Sequence, residues 1–471
     1  MLSSCDSSPS IDSEIINIDP ENVANQFDNI PIGMNLNFYI DADKTTKAAT
    51  PLAVALRKMG VKYLRYPGGD KADEYLFSSP PYDKALPRPA RTGKGRSVMR
   101  SSFLNEDKTD FKFSPMDFDE FMTICHTTES EPVIVVGCDE RNNPHPEDGY
   151  AATQQDYLEN AVEWVRYANV KNNYGVKYWM IGNECWHHNI NRYYTVDDYI
   201  EDIKLFSDAM KAIDPSIYII PNIIIGENFL EKILTEAGDK IDMLCISNYP
   251  AQSYINGYDD WVVKGKNMNA FAGLLRSKIE EFAPAGKKDM KFINAEFGPF
   301  DFMEGGWGAV NDMGHAMCNF EIVGQQLLDK QIPFSLYWNT RWSFDANREA
   351  YNSLDNNNNF LPPAYTLAIW TQNIYPQMIN AETSSDMLTV FSSYSPIEKS
   401  AYVYVMNKAG KDNRIYIDVK GRKIRRVEQV ARMTGSSPDD FNPDVDLDNH
   451  KVKNNIILPP YSINVYKMKL E

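Results

Sequence analysis

The chain has 471 residues, enough for more than one ordinary domain, and it carries a formal net charge of −17. Such an acidic excess argues against binding to nucleic acid or to anionic membrane surfaces. Hydrophobic residues make up 43% of the sequence, which supplies a full core and excludes a mostly disordered chain. No apolar run is long enough to cross a bilayer.

The six cysteines show no Cys-x-x-Cys spacing. Several lie within apolar runs, so we expect buried free thiols rather than zinc ligands or a disulfide framework. One of them, Cys5, follows Leu2-Ser3-Ser4 in a pattern similar to a bacterial lipobox. A lipid on Cys5 is the only membrane link that we expect, and it implies an extracytoplasmic protein, either a bacterial cell-surface lipoprotein or a periplasmic one. The alternative is a disordered tail with a chance cysteine.

From residue 29 onward, short apolar runs alternate with segments of helical periodicity. The strand-like runs are residues 31–40, 61–66, 132–138, 176–181, 217–225, 243–247, 291–296 and 333–338. One of the helices between them begins at a capping-box pattern, Thr195-x-x-Asp198. Eight strands alternating with about eight helices predict an α/β fold, a (β/α)8 TIM barrel over residues 29–378. An open doubly wound sheet is the alternative, but no glycine-rich phosphate loop follows the first strand.

The character of the sequence changes after the predicted barrel. Residues 388–391, 401–405, 414–419 and 462–466 alternate apolar and polar side chains and are separated by turns. This pattern is typical of half-buried antiparallel strands, and it predicts a C-terminal antiparallel β-sandwich domain over residues 379–471. Residues 1–28 form an N-terminal tail and a strand at about 11–18, which is a candidate to join the sandwich because no helix follows it.

In a parallel barrel the functional side chains lie where the carboxyl ends of the strands emerge. Strand two ends in Arg65 to Asp70, strand four in Asn183-Glu184, strand six in Asn248-Tyr249, strand seven in Glu296 and strand eight in Trp338. Two converging glutamates suit the cleavage of a glycosidic bond, in which one carboxylic acid protonates the leaving oxygen and one carboxylate attacks the anomeric carbon. Arg65 is expected to lower the pKa of one glutamate, and an apolar wall such as Trp186 to raise the pKa of the other.

Gly182-Asn183-Glu184, Glu296 and the motif Arg65-Tyr66-Pro67-Gly68-Gly69 resemble glycoside hydrolase clan A, most closely the family 51 α-L-arabinofuranosidases. The resemblance implies that Glu184 is the acid/base, that Glu296 is the nucleophile and that Asn183 holds the sugar 2-hydroxyl. It implies a retaining hydrolase of plant or algal polysaccharides or oligosaccharides. No metal and no organic cofactor is implied.

The remaining substrate-binding side chains are expected on the same face of the barrel. They are Asn37, Arg65, Asp70, Trp186, His187, Asn248, Tyr249 and Trp338. Three positions depart from the family pattern. Asp70 replaces the usual asparagine, and Asn37 lies at about the position where the family has a sugar-binding glutamate on strand one. The segment Cys185-Trp186-His187-His188 after the acid/base also differs from the usual family sequence. These departures leave the mechanism intact and bear on the identity of the sugar. The histidine pair has no third ligand at suitable spacing, so a loop or sugar contact is preferred to a metal site.

A basic cluster lies in the long loop after strand two. It consists of Arg88, Arg91, Lys94, Arg96 and Arg100. The cluster is either a solvated surface or a rim that meets carboxylate or sulfate groups. If the cluster is such a rim, the alternative function is an endo-acting hydrolase of an acidic or sulfated polysaccharide, similar to agarases, porphyranases or glucuronidases. A second alternative is a non-catalytic sugar-binding lipoprotein. A transglycosylase would share both glutamates.

Overall fold

The computed structural model describes residues 13–93, 103–138, 149–186, 194–301, 305–342 and 352–471. Two large sheets organise these residues, an eight-stranded parallel sheet and a ten-stranded sheet that is mostly antiparallel. The predicted fold class, a (β/α)8 TIM barrel with an antiparallel β-sandwich, is confirmed. Several residues named above lie outside the described ranges, namely Cys5, Lys94, Arg96, Arg100, His187 and His188.

The barrel strands are short and parallel. Strands one to eight are Ile32–Asn35, Tyr63–Tyr66, Glu131–Val136, Tyr178–Ile181, Tyr218–Pro221, Met243–Asn248, Lys291–Phe297 and Ser335–Tyr337. They pair in the order five, four, three, two, one, eight, seven, six. A parallel bridge between Asn222 and Cys245, at strands five and six, closes the ring. The carboxyl ends of all eight strands therefore open on one face.

A helix follows each barrel strand in the described part of the chain. The helices are Leu52–Met59, Phe118–Thr128, Gln154–Val165, Val196–Ile213, Phe229–Ala237, Ala270–Phe282, Met313–Leu327 and Pro362–Gln372. Thr195 caps the fourth of them: Asp198 N–H donates to Thr195 Oγ1 at 3.2 Å, and Thr195 N–H donates to Asp198 Oδ2 at 2.9 Å. The predicted capping box is thus present and satisfies two N–H groups that the helix leaves open. No described helix has the length and apolar character needed to cross a membrane.

Strand one is shorter than the sequence pattern predicts. The apolar run over 31–40 is a strand only from Ile32 to Asn35. Beyond that point the chain turns, since the backbone N–H groups of Ile40 and Asp41 both donate to the carbonyl of Asn37, at 3.1 and 2.9 Å. The prediction of a strand up to residue 40 is wrong because the chain turns at Asn37, although the N–H groups of Leu36 and Phe38 still donate to the carbonyls of Arg65 and Pro67, each at 2.9 Å. Residues 36–41 line the mouth of the barrel instead.

The barrel interior is a closed apolar core. Its inward-facing side chains include Val133, Met180 and Ile293. Near the amino ends of the strands, the rings of Tyr63 and Phe334 stack with centroids 4.0 Å apart. A packed interior of this kind gives the polar residues above it a rigid floor.

The second sheet contains strands from both ends of the chain. Its strands are Glu14–Gln26, Gln377–Thr383, Leu388–Ser395, Ser400–Asn407, Asn413–Val419, Ile424–Thr434, Asp444–Asp446, His450–Val452, Asn455–Leu458 and Ser462–Leu470. The N-terminal strand pairs antiparallel with Gln377–Thr383 and parallel with Asn413–Val419. Ile16 and Ile18 are 0% and 1% exposed in the core of this sheet, so the N-terminal strand does join the sandwich.

Candidate active site

Glu296 lies at the carboxyl end of barrel strand seven and is 5% exposed. Arg65 Nη1 donates to its Oε1 at 2.7 Å, and the hydroxyl of Tyr249 donates to its Oε2 at 2.8 Å. Burial raises the pKa of Tyr249 well above its usual value, so its hydroxyl keeps the proton that it donates. Both carboxylate oxygens of Glu296 therefore accept hydrogen bonds, which hold the group in one orientation.

Arg65 is the centre of the polar network and is fully buried on strand two. Besides Glu296, its Nη1 donates to Asn35 Oδ1 at 2.9 Å and its Nη2 donates to Asn183 Oδ1 at 2.7 Å. Asn35 Nδ2 donates in turn to the carbonyl of Ala295 at 2.8 Å. One guanidinium group thus connects strands one, two, four and seven. Its planar arrangement of donors fixes the orientation of the Glu296 carboxylate.

Glu184 follows the end of strand four in a left-handed backbone conformation, with φ of 45°. Gly182, two residues earlier, has φ of 67°, a value that glycine adopts without steric cost. A non-glycine residue in this region stores backbone strain, as residues at functional sites often do. The turn swings the Glu184 side chain out of the strand and over the mouth of the barrel.

The Glu184 carboxyl group has an environment opposite to that of Glu296. Burial, followed by the negative charges of Glu296 and Asp70, raises its pKa from 4.5 to about 8. The Ser247 hydroxyl and the Arg65 guanidinium lower the pKa of Glu184, but by less than burial and the two negative charges raise it. Glu184 is therefore protonated at neutral pH, and the site contains one carboxylic acid and one carboxylate.

Asn222, directly after strand five, holds the turn that carries Glu184. Its Oδ1 accepts from the backbone N–H of Glu184 at 3.1 Å and from Trp186 Nε1 at 3.2 Å. Asn222 is fully buried, and its own Nδ2 donates to Cys245 Sγ at 3.4 Å. Trp186, predicted to contact substrate, is thereby fixed beside the acid/base candidate and is partly buried.

The two glycines after strand two make room for the site. A Cβ atom on Gly69 would lie 2.7 Å from Glu296 Oε1 and 2.6 Å from Cη2 of Trp338. Both distances are shorter than van der Waals contact, so only glycine lets the turn approach the carboxylate and the indole. Gly68, with φ of 146°, adopts a conformation that other residues rarely reach. Trp338 is 4% exposed and forms a wall of the site next to Glu296.

Asp70 and Lys71 begin the short 3-10 helix Asp70–Glu74 beside this turn. Lys71 Nζ lies 3.5 Å from Asp70 Oδ1, and it lies 5.2 Å from the ring of Trp338 and 4.2 Å from the ring of Trp342. The Asp70 side chain is 19% exposed, whereas that of Lys71 is 6% exposed. The predicted ligand Asp70 thus lies at the rim of the cluster, close enough to influence Glu184.

Asn37 and Asn248 differ in their relation to the network. Asn37 is 1% exposed, and its Oδ1 accepts from the backbone N–H of Tyr39 at 3.2 Å. Its Nδ2 has no hydrogen-bond partner in the described part of the chain. Asn248 Nδ2 donates to the carbonyl of Met268 at 3.4 Å, and so this predicted ligand turns towards the connection to helix six rather than towards Arg65.

Other predicted features fall partly within the described ranges. Five cysteines are buried free thiols, as predicted, and they are Cys125, Cys138, Cys185, Cys245 and Cys318. Cys138 and Cys185 face each other with their Sγ atoms 3.8 Å apart. Of the basic cluster, Arg88 lies 5.6 Å from the ring of Tyr150 and Arg91 is partly buried. Within the described residues, no three His, Cys, Asp or Glu side chains converge as metal ligands.

Four polar residues near the glutamates were not predicted from the sequence, namely Asn35, Lys71, Asn222 and Ser247. Asn35 and Asn222 are polar residues within or directly after apolar runs, at strand ends, and this interruption is the signal that could have found them. The sequence offers no comparable signal for Lys71 or Ser247. Their role depends on which side chains the closed ring brings next to them.

The chain matches a known family in sequence over less than half of its length. It fits the profile of the alpha-L-arabinofuranosidase 1 domain over residues 55–264. It is 27% identical over 172 residues to alpha-L-arabinofuranosidase C of Emericella nidulans. That alignment covers 35% of this chain and 30% of the fungal protein, so the chain spans about a third of the length of this curated relative.

Solved structures share the architecture over nearly the whole chain. The α-L-arabinofuranosidase of Thermotoga maritima, crystallised as an arabinose complex, has a TM-score of 0.73 at 17% identity and covers 97% of this chain and 99% of its own. The GH51 α-L-arabinofuranosidase of Thermotoga petrophila RKU-1 has a TM-score of 0.71 at 17% identity, with coverages of 97% and 100%. These likenesses establish the fold, and the predicted resemblance to clan A and family 51 is confirmed.

Proposed function

We propose that this protein is a retaining glycoside hydrolase of the α-L-arabinofuranosidase type, acting on a polysaccharide or oligosaccharide. The observation that carries the proposal is the opposite environment of the two glutamates. Glu296 accepts hydrogen bonds on both oxygens from Arg65 and Tyr249. Glu184, which follows strand four on the same face of the barrel, has its pKa raised to about 8. An ionised nucleophile and a protonated acid are what a double displacement requires at neutral pH.

In the first step a carboxylate oxygen of Glu296 attacks the anomeric carbon while Glu184 gives its proton to the leaving oxygen. The glycosidic bond breaks, the alcohol departs, and the sugar remains attached to Glu296 as an ester. Asn183 uses its Oδ1 to accept from Arg65. Its NH2 group is therefore the end that is free to hold the sugar 2-hydroxyl.

In the second step Glu184, now a carboxylate, removes a proton from water, and the hydroxide oxygen attacks the same anomeric carbon. The ester bond to Glu296 breaks, and the sugar leaves with its original configuration because two inversions have occurred. Glu184 recovers its proton in this step, so no external acid or base is consumed. Arg65 and Tyr249 hold the released carboxylate in place for the next cycle.

Site-directed variants test this assignment on 4-nitrophenyl α-L-arabinofuranoside and on a panel of neutral and acidic glycosides. Glu296→Gln removes the nucleophile, and we expect turnover to fall by roughly 10³-fold or more. Glu184→Ala removes the acid/base, and added azide should restore turnover by attacking the sugar–Glu296 ester, giving a glycosyl azide of retained configuration. Proton NMR of the first-formed product reads the anomer directly.

Glu129→Gln is the matched control, because Glu129 is an exposed residue after helix two and far from the site. It should keep full turnover. A sugar-binding protein without catalysis would hydrolyse no member of the panel, and it would bind sugar equally well before and after Glu296→Gln. Product of inverted configuration would contradict the double displacement.

A further inference from the structure

Two cysteine side chains meet next to the turn that carries Glu184. Cys138 lies two residues after barrel strand three, and Cys185 directly follows Glu184. Their Sγ atoms are 3.8 Å apart, and the two residues are 1% and 2% exposed. Sulfur atoms in van der Waals contact need only a small movement to form a disulfide, whose S–S bond is about 2.05 Å long.

The two thiols occupy the space that Gly182 leaves open. A Cβ atom on Gly182 would collide with Cys185 Sγ and would lie 2.8 Å from Cys138 Sγ. The N–H of Gly182 donates to the carbonyl of Val136 at 2.8 Å, which joins the end of strand three to the turn before Glu184. The backbone therefore brings together two cysteines that are 47 positions apart in the sequence.

A bond between these sulfurs would displace the acid/base. The Sγ atoms would have to approach each other by about 1.7 Å. Cys138 Sγ lies 3.5 Å from the hydroxyl of Tyr194, which donates to Asp202 Oδ2 at 2.6 Å, so this side of the pair belongs to a buried polar network. Part of the movement must therefore come from Cys185, which a peptide bond joins to Glu184.

We propose that Cys138 and Cys185 form a reversible disulfide that withdraws Glu184 from its catalytic position, so that a hydroperoxide switches the enzyme off and a dithiol restores it. This inference rests on the proposed hydrolase function, since it names a regulation of the same site. The two cysteines take no part in the bond breaking. They act only through the position of Glu184.

The oxidant is a small hydroperoxide, such as hydrogen peroxide, because both thiols are buried. One sulfur attacks a peroxide oxygen, the O–O bond breaks, and a sulfenic acid and one water molecule form. The second sulfur then attacks the sulfenic sulfur, the S–S bond forms, and the hydroxyl group leaves with a proton as a second water molecule. Two electrons have passed from the thiols to the peroxide. A dithiol reverses the change by exchange and becomes a disulfide itself.

Mass spectrometry tests the bond independently of turnover. The reduced protein is compared with a sample treated with hydrogen peroxide and with a treated sample that is then reduced by dithiothreitol. Proteolysis without reductant should give a peptide that joins Cys138 to Cys185 in the oxidised sample alone.

Two substrates test the effect on Glu184. Methyl α-L-arabinofuranoside has a poor leaving group that needs the proton, and its kcat/KM should fall roughly 10²-fold on oxidation, since a displacement of about 1 Å can cost that much. The 2,4-dinitrophenyl glycoside leaves without protonation, so its kcat/KM should change by less than about threefold. Dithiothreitol should restore the first value.

Cys138→Ser should keep the activity of the reduced protein and lose the response to peroxide, and Cys138→Ala serves if the serine variant does not fold. Cys318→Ser is the matched control. Cys318 is also fully buried, but its Sγ contacts the thioether sulfur of Met268, at 3.9 Å, which cannot form a disulfide. This variant should respond to peroxide as the parent does.

Absence of the linked peptide, a link from Cys185 to another cysteine, or an equal change in kcat/KM on both substrates overturns the inference. Failure of the proposed hydrolase function looks different. It would appear as an absence of turnover of both glycosides by the reduced protein, with the linked peptide still formed on oxidation.

Discussion

The two glutamates are chemically the same side chain, and their surroundings alone assign them different roles. Glu296 touches a guanidinium and a phenol, which stabilise its negative charge. Glu184 is partly buried and desolvated, and it lies within the field of Glu296 and Asp70, which disfavours a second negative charge in the same site. The environment of the two glutamates, and not their residue type, therefore places the proton on Glu184.

The raised pKa of Glu184 predicts the alkaline limit of activity. The proposed first step needs the acid form of Glu184, which predominates below the folded-state pKa of about 8. For a substrate with a poor leaving group, kcat/KM should therefore fall about tenfold per pH unit above that value. With Glu184→Gln and a 2,4-dinitrophenyl glycoside, which leaves without protonation, the alkaline limb should disappear. A limb that persists in this variant would assign the titration to another group.

The turn after strand two brings its own backbone close to the Glu296 carboxylate and to the indole ring of Trp338. Arg65 precedes it, Gly68 and Gly69 form it, and Lys71 follows it. The absence of a side chain on Gly69 lets Trp338 and Glu296 approach the same backbone atom. The motif at the end of strand two therefore sets the distance between Glu296, Trp338 and the backbone at Gly69, and it also supplies the guanidinium group of Arg65.

Gly69→Ala tests this spacing. The added methyl group would overlap Glu296 Oε1 and Trp338, so one of them must move, and a displacement of about 1 Å at a reacting group can cost roughly 10²-fold in rate. Crowding should also lower the free energy of unfolding by about 1–3 kcal/mol. Gly286→Ala is the control, since a Cβ on Gly286 meets nothing within 4 Å. If both variants keep the parent kcat/KM, the turn is not what positions Glu296.

At the scale of the whole molecule, the barrel and the sandwich are connected by buried polar contacts. Lys408 of the sandwich forms a 2.7 Å ion pair with Glu321 of helix seven, and both side chains are at most 5% exposed. Its Nζ lies 4.6 Å from the ring of Trp261. Close by, the N–H of Gly314 donates to the carbonyl of Pro438 at 2.7 Å. The amino end of helix seven is thus held by the sandwich.

Lys408→Met leaves the Glu321 carboxyl group buried without its cation. We expect the free energy of unfolding to fall by about 3–5 kcal/mol, because an uncompensated buried charge is costly. Lys266→Met is the matched control at the same junction: Lys266 pairs with Asp386 at 2.6 Å, but the side chains are 66% and 82% exposed. Its loss should change stability by less than about 1 kcal/mol. Denaturant unfolding measures both, and equal losses would refute the role of burial.

Much of this architecture could be predicted because it depends on local periodicity. Apolar runs of strand length alternating with helical patterns indicate a parallel barrel, and its chain order tells which residues stand at the carboxyl ends of the strands. The glutamates of strands four and seven were identifiable in this way. The extent of strand one was not, because the turn at Asn37 depends on its own hydrogen bonds with Ile40 and Asp41 and interrupts an otherwise apolar run.

The barrel, the sandwich and the position of the two glutamates at the carboxyl ends of their strands can be predicted from the amino-acid sequence, since they follow from patterns a few residues long. Which side chains contact one another depends on the folded chain as a whole. Arg65 reaches Glu296 across 231 positions of sequence, Asn222 holds the backbone of Glu184, and Lys71 Nζ lies near the rings of Trp338 and Trp342. Such contacts depend on strand register and on closure of the ring, and no local pattern encodes them. The protonation of Glu184 follows from those contacts and is a property of the folded molecule.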